Sequence, residues 1–248
     1  KEALFAYFAA EVFARATPET QVLLMRTALL PYVTVSMAFE ITSNQNADQI
    51  ISNLYQKRYF IDRRGDGDLT YQFHDLFREF LLTKLNETQQ PAELALLQTQ
   101  AGRMLQQRGH IIEGAQHFRD AGDSQSLANL IMKEAQGLVD QGRWQTLNEC
   151  FVGIPQEPLE QHPWLFYWYA YGQMLVDLEL GNALLEQAYE RFSKHKDLLG
   201  QCFVILDLAD VVYLKGEPHR HFNRWISVLE RYLQQSKEFP SQAVGLKV

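Results

Sequence analysis

Apolar residues recur at helical spacing through nearly the whole chain, with one interruption between about residues 59 and 73. Leu4, Phe5, Phe8, Val12 and Phe13 share one face of a first predicted helix. Thr17-Pro18 opens a second: Thr17 suits the N-cap and Pro18 the first helical position. Val22, Leu23, Met25 and Leu29 carry that helix towards Pro31. A short helix is expected from Thr34 through Phe39 to Ile41, and another from Asn46 or Ala47, with Ile50, Ile51, Leu54 and Tyr55 turned inward. The period then changes. Two β-prone runs flank Gly65-Asp66-Gly67-Asp68, which predicts a hairpin. From Tyr71 to Phe80 the hairpin's second strand runs into an amphipathic helix, with Phe73, Leu76, Phe77, Phe80, Leu81 and Leu85 on its apolar side. Helices, a hairpin and a closing helix make a winged-helix order, assigned to residues 1–88.

From Pro91 onward the pattern is helical. Gly109, Gly142, Gly181 and Gly216 stand 33, 39 and 35 residues apart, close to the period of tetratricopeptide-like helix pairs. Each is read as the turn between two helices of a pair, where Gly takes the left-handed conformation cheaply. The clearest unit is 101–123. Ala101, Ala115 and Ala121 allow close approach there, while Leu105, Ile112 and Phe118 fill the gaps. Pro155, Pro158 and Pro163 make a connector over 154–163, and Lys215-Gly216-Glu217-Pro218 opens the last pair. The expected fold is mainly α: a winged helix with one hairpin, then an α-α superhelix of four helix pairs over 89–248. Such arrays present long surfaces to peptides, partner helices or effectors.

Charge narrows the function. The net charge is −7, and residues 1–88 hold 9 Lys+Arg against 11 Asp+Glu. Phosphate contacts dominate DNA affinity, so direct DNA contact by this winged helix is not expected, nor is a membrane surface. Cys150 and Cys202 stand alone in apolar runs and read as buried thiols in a reducing, cytoplasmic setting. The chain opens without Met or a signal peptide, inside a helical pattern, which reads as a piece of a longer protein.

Candidate chemistry is sparse. His74 and Asp75 lie at the strand-to-helix junction. Asp75 is placed to cap the helix and to favour its dipole. His74 either packs there or is aimed at a ligand. The aromatic run 164–171 puts Trp164, Trp168 and Tyr171 on one face and Phe166 and Tyr169 on another, as core between repeats or as the lining of an effector groove. Asp207 and Asp210, on an apolar helix, either read a polar effector in that groove or mark its wet side. His219 and His221 flank Arg220, with Arg224 beyond, as a solvated basic face or a weak metal pair. No zinc spacing, nucleophile-base arrangement or G-x-x-x-x-G-K-[ST] loop occurs, so neither catalysis nor a cofactor of its own is expected.

Taken together, Tyr71-Gln-Phe-His-Asp-Leu-Phe-Arg-Glu-Phe-Leu81, Leu4–Phe13, Thr17–Leu30, Leu54–Ile61 and Ala115–Asp123 resemble the signal-transduction ATPases with numerous domains. Within them the chain is most similar to the maltose-activator-type, LuxR-family ATP-dependent transcriptional regulators. That resemblance implies an upstream nucleotide-binding domain, a downstream helix-turn-helix, ATP or ADP in the parent protein, slow ATPase switching and self-association. In the wider class a Met-His-Asp-like motif closes the winged helix, and its His reaches the β-phosphate of ADP. Phe73-His74-Asp75 matches it with Phe for Met, which implies a nucleotide-sensing role for His74. The implied function is regulatory: the winged helix relays nucleotide state and the array recognises a protein or small-molecule effector. The alternative is an interaction scaffold with a purely structural winged helix.

Overall fold

Thr17 sets the first boundary. Its hydroxyl accepts from the Thr20 N–H at 3.3 Å, and Pro18 fills the first helical position. A cap of this kind contributes about 1 kcal/mol. The computed structural model describes residues 2–64, 69–215, 226–227, 229–231 and 234. The expected hairpin turn at 65–68, the start of a last pair at 216–218 and His219, Arg220, His221 and Arg224 lie outside them, as do the side chain of Leu4 and any partner helix for the last repeat. The chain divides into two compact units, Lys1–Asp123 and Ser124–Val248.

In the first unit, α1 (Glu2–Ala14), α2 (Pro18–Thr27), α3 (Val35–Thr42) and α4 (Ala47–Gln56) precede the hairpin β1 (Ile61–Arg64) and β2 (Thr70–Phe73), and α5 (Asp75–Thr88) closes the winged helix. The strands pair antiparallel, with Ile61 opposite Phe73 and Arg64 opposite Thr70. Val33 exchanges both backbone hydrogen bonds with Tyr71, at 2.7 and 2.8 Å, and so ties the α2–α3 link to the wing. Leu24, Met37, Ile51, Phe77 and Leu81 are closed to solvent in the core. Helical spacing over-assigned the rims of these faces: Phe8 is 50% exposed and Leu76 38%.

The same unit takes in α6 (Pro91–Gln107) and α7 (Ile111–Asp120). Gly109, with φ +81°, turns one into the other. Ile111, not Ile112, is the buried member of that pair; Ile112 is 37% exposed. Polar contacts fasten the pair to the winged helix. Pro31 prevents α2 from continuing and leaves the Ala28 and Leu29 carbonyls without helical donors. Arg78 on α5 donates to Ala28 O at 2.8 Å and to Leu29 O at 3.3 Å. His117 on α7 hydrogen-bonds the same Leu29 carbonyl through Nε2 at 3.0 Å, and its Nδ1 faces the Gln98 carboxamide. Gln100 donates to Glu40 O at 2.8 Å, and Arg108 pairs with the Glu40 carboxylate at 2.9 Å.

The second unit begins with α8 (Ser124–Asp140) and α9 (Trp144–Phe151), joined at Gly142 with φ +71°. The proline connector is not extended throughout. It holds a short helix, α10 (Gln156–Gln161), with Pro155 as N-cap residue and Pro163 opening the next helix. Then come α11 (Pro163–Met174), α12 (Leu178–Lys194) and α13 (Leu198–Lys215). The fold is therefore mainly α, a winged helix followed by tetratricopeptide-like helix pairs.

Gly181 departs from expectation. It lies inside α12, and the turn falls at 175–177, where Asp177 Oδ1 caps the helix by accepting from the Glu179 and Leu180 N–H groups at 2.9 and 3.1 Å. A Cβ at Gly181 would stand 2.2 Å from Met174 Cα, so this glycine serves close backbone approach.

Candidate functional site

The local chemistry around His74 starts at the end of α4. The Arg58 N–H reaches Tyr55 O at 2.9 Å and the Tyr59 N–H reaches Leu54 O at 3.1 Å, a Schellman closure in which Arg58 takes φ +54°. Glycine usually fills that position because it has no Cβ; a side chain there costs about 1 kcal/mol. Phe60 follows, also at φ +54°, with its N–H on Arg58 O at 3.0 Å across Tyr59. Two left-handed residues other than glycine within three positions mark this link as over-determined by its surroundings.

His74 is held by that link. Its N–H donates to Phe60 O at 2.8 Å, continuing the hairpin ladder by one pair, and its carbonyl accepts from Phe77 and Arg78, both at 2.9 Å, to start α5. The His74 ring rests on Phe5 with centroids 5.1 Å apart, and Phe5 in turn packs on Phe60 at 4.6 Å. The imidazole is exposed and makes no hydrogen bond among the described residues. It opens on a cleft of about 550 Å³ lined also by Tyr55, Gln56, Arg58, Phe60, Ile61 and Asp62.

Asp75 does not cap. The N-cap residue is His74, without a side-chain cap bond, and Asp75 occupies the first helical position, exposed. Its carboxylate acts on Arg78: burial pulls the guanidinium below its ordinary value, and Asp75 opposes that shift.

The array candidates do not form one groove. Trp168 and Asp207 are closed to solvent, at 5% and 1% exposure, which removes both from an open lining. The Tyr167 hydroxyl donates to Asp207 at 2.7 Å, and burial first, then the Asp207 charge, raises the phenol well above its ordinary value. Trp164 donates its indole N–H to Asp197 at 2.9 Å and packs on Phe192 at 4.9 Å. Tyr169 is half-buried against Phe151 at 5.5 Å, while Asp210 is exposed. Sequence reasoning gave Tyr167 and Asp197 no role of their own and missed Arg191, whose guanidinium lies 3.8 Å from the Phe166 ring centroid. It also missed Arg58, because no sequence signal distinguishes a left-handed Arg from a helical one. Cys150 and Cys202 are both buried and outside any disulfide. Among the described residues no group of three or more His, Cys, Asp or Glu is arranged to hold a metal, and no helix is long and apolar enough to cross a membrane.

The site is thus a histidine at the junction of wing and closing helix, facing an open cleft, in a winged helix that tetratricopeptide-like pairs follow. The family model described as the MalT winged helix domain matches residues 9–94. The HTH-type transcriptional regulators MalT of Yersinia pestis (strain Pestoides F) and Yersinia pseudotuberculosis serotype O:1b (strain IP 31758) are each 25% identical over 195 residues. Those matches cover 79% of this chain but 20% of each relative, so the chain spans about one fifth of their length. Among solved structures, a signal transduction ATPase with numerous domains (STAND) with a tetratricopeptide repeat sensor, from Pyrococcus horikoshii, shares the fold. Its TM-score is 0.59 at 20% identity, over 95% of this chain and 34% of that one. Residues 9–94 thus match a MalT-type winged-helix domain, and the chain as a whole is similar to the MalT regulators in sequence and to the STAND protein in fold.

Proposed function

We propose that this chain is the regulatory part of a cytoplasmic, ATP-dependent transcriptional regulator. Its winged helix relays nucleotide state from a nucleotide-binding domain elsewhere in the parent protein. In the resting form, His74 donates to a phosphate of ADP bound to that domain and holds the assembly shut. ATP and an effector on the helical array shift the population to an open form that self-associates and exposes a DNA-binding output domain. The chain has no phosphate-binding loop of its own. Any slow ATP hydrolysis therefore belongs to the partner domain, and this piece takes no cofactor alone. The effector-reading positions are left to the open side of the array, with Tyr169 and Asp210 among them.

One observation carries the reading: an exposed imidazole, fixed through its own backbone on both sides, faces an open cleft without a protein partner among the described residues. A histidine kept for packing alone would have its ring enclosed, whereas this one packs one side on Phe5 and leaves the rest exposed. The test is His74→Ala in the intact regulator. Transcription without effector should rise while the thermal unfolding midpoint stays put. Unchanged output, or a change explained by lost stability, favours the scaffold reading.

A further inference from the structure

We propose that Arg58 is a second phosphate-reading side chain of the same cleft, addressing the diphosphate of a nucleoside diphosphate beside His74; this rests on the function proposed above. Three observations converge on Arg58. It lines the cleft that His74 opens on. It makes no ion pair among the described residues, whereas Arg15, Lys84 and Arg108 each hold a carboxylate. It also occupies the left-handed position of a Schellman closure, where glycine would fit with less strain.

The backbone links the two side chains. The Arg58 carbonyl accepts from Phe60 N–H, and the Phe60 carbonyl accepts from His74 N–H, so two hydrogen bonds of 3.0 and 2.8 Å fix the one residue relative to the other. A guanidinium presents up to five N–H donors in a planar fork suited to two phosphate oxygens, and an imidazole N–H supplies one more. Among the described residues neither group is hydrogen-bonded or ion-paired to another side chain, so neither must give up a polar contact to take the ligand. Asp62 and Gln56 share the lining and offer acceptors for ribose hydroxyls. Apart from His74, Arg58 is the cationic residue in the lining. Lys57, its neighbour in sequence, lines a different cleft and lies 5.9 Å from the Tyr59 ring centroid.

The experiment measures ADP affinity of the intact regulator by calorimetry, together with its thermal unfolding midpoint. Arg58→Gln should weaken ADP binding roughly ten- to a hundredfold, the range of one charge-assisted hydrogen bond to phosphate. Arg58→Lys should recover part of the loss, and Lys57→Gln should match the parent. Arg58→Gly separates ligand binding from folding: it should raise the unfolding midpoint by relieving the left-handed strain while losing ADP affinity. A residue kept for structure alone would not move the two readings in opposite directions. If His74→Ala weakens ADP binding and both Arg58→Gln and Arg58→Gly bind within twofold of the parent, Arg58 is not a reader and the His74 role stands. If none of the three changes affinity, both ideas fall.

Discussion

Replacing Gly181 by Ala tests the packing of the array directly. The new Cβ would lie 2.2 Å from Met174 Cα, 2.5 Å from its Cβ and 2.6 Å from its backbone nitrogen. Carbon atoms settle at about 3.5–4.0 Å, so α11 and α12 must part by more than an ångström at that turn. The obstructing atoms include backbone, which no rotamer change can move. Overpacking of this kind costs about 1–3 kcal/mol, and the better helix propensity of Ala returns about 0.5–1 kcal/mol. A net loss of roughly 1 kcal/mol lowers the urea midpoint by about 0.5 M for a typical denaturant slope. All four tryptophans, Trp144, Trp164, Trp168 and Trp225, fall in the second unit, so indole fluorescence reports on it alone. Gly142→Ala is the matched control: φ is +71° with open space around it, and the expected cost is about 1 kcal/mol. A Gly181→Ala protein as stable as the parent, or more stable, would refute the close approach and return Gly181 to an ordinary helical position.

Two further outcomes follow from buried polar groups. Tyr167→Phe removes a hydrogen bond to an Asp207 that is 1% exposed, and should cost about 1–3 kcal/mol in the same fluorescence assay; a neutral result would mean that the carboxylate does not depend on that hydroxyl. His117 is held below its ordinary value of 6.5 by burial, against the opposing pull of its bond to Leu29 O. The unfolded chain then binds the proton more readily than the folded one. Stability is kept above about pH 6.5 and declines as pH falls towards the lower folded value. Amide protection in α5–α7, taken relative to the intrinsic exchange rate at each pH, should fall between pH 7 and pH 5 in the parent and change less in His117→Gln; identical protection profiles would overturn the assignment.

The winged helix was legible because its signals are local. Thr17-Pro18 caps and opens α2, glycine and aspartate cluster between two β-prone runs, and Phe77, Leu81 and Leu85 keep helical register into the core. Periodicity failed by one residue at Ile111 and Ile112, because either fits a broad apolar face. It failed at Gly181 because a glycine at repeat spacing looks the same whether it supplies a positive φ, as Gly109 does, or room for a neighbouring backbone. The aromatic helix α11 is apolar on all sides, which is the pattern of a helix covered on more than one face, and the structure puts Trp168 and Phe166 inside accordingly. Asp207 looked like a wet-side marker; its actual partner, Tyr167, sits forty positions earlier, beyond the reach of any local pattern. The His74 junction could be located from the sequence, but not the paired left-handed turns at Arg58 and Phe60 that present it. Those conformations belong to the tertiary closure of α4 onto the wing.

The shared Leu29 carbonyl bears on how such proteins can be recombined. The inherited module matched by the family model runs from 9 to 94, but Arg78 and His117, on either side of residue 94, meet on the same oxygen. A graft of the winged helix alone from one relative to another would deliver half of that junction and leave a buried acceptor dependent on whatever the recipient's next helix pair offers. Descent and cooperativity draw different borders here. An exchange that respects the second border carries α6 and α7 along, and moves the winged helix together with the helix pair that completes its polar junction.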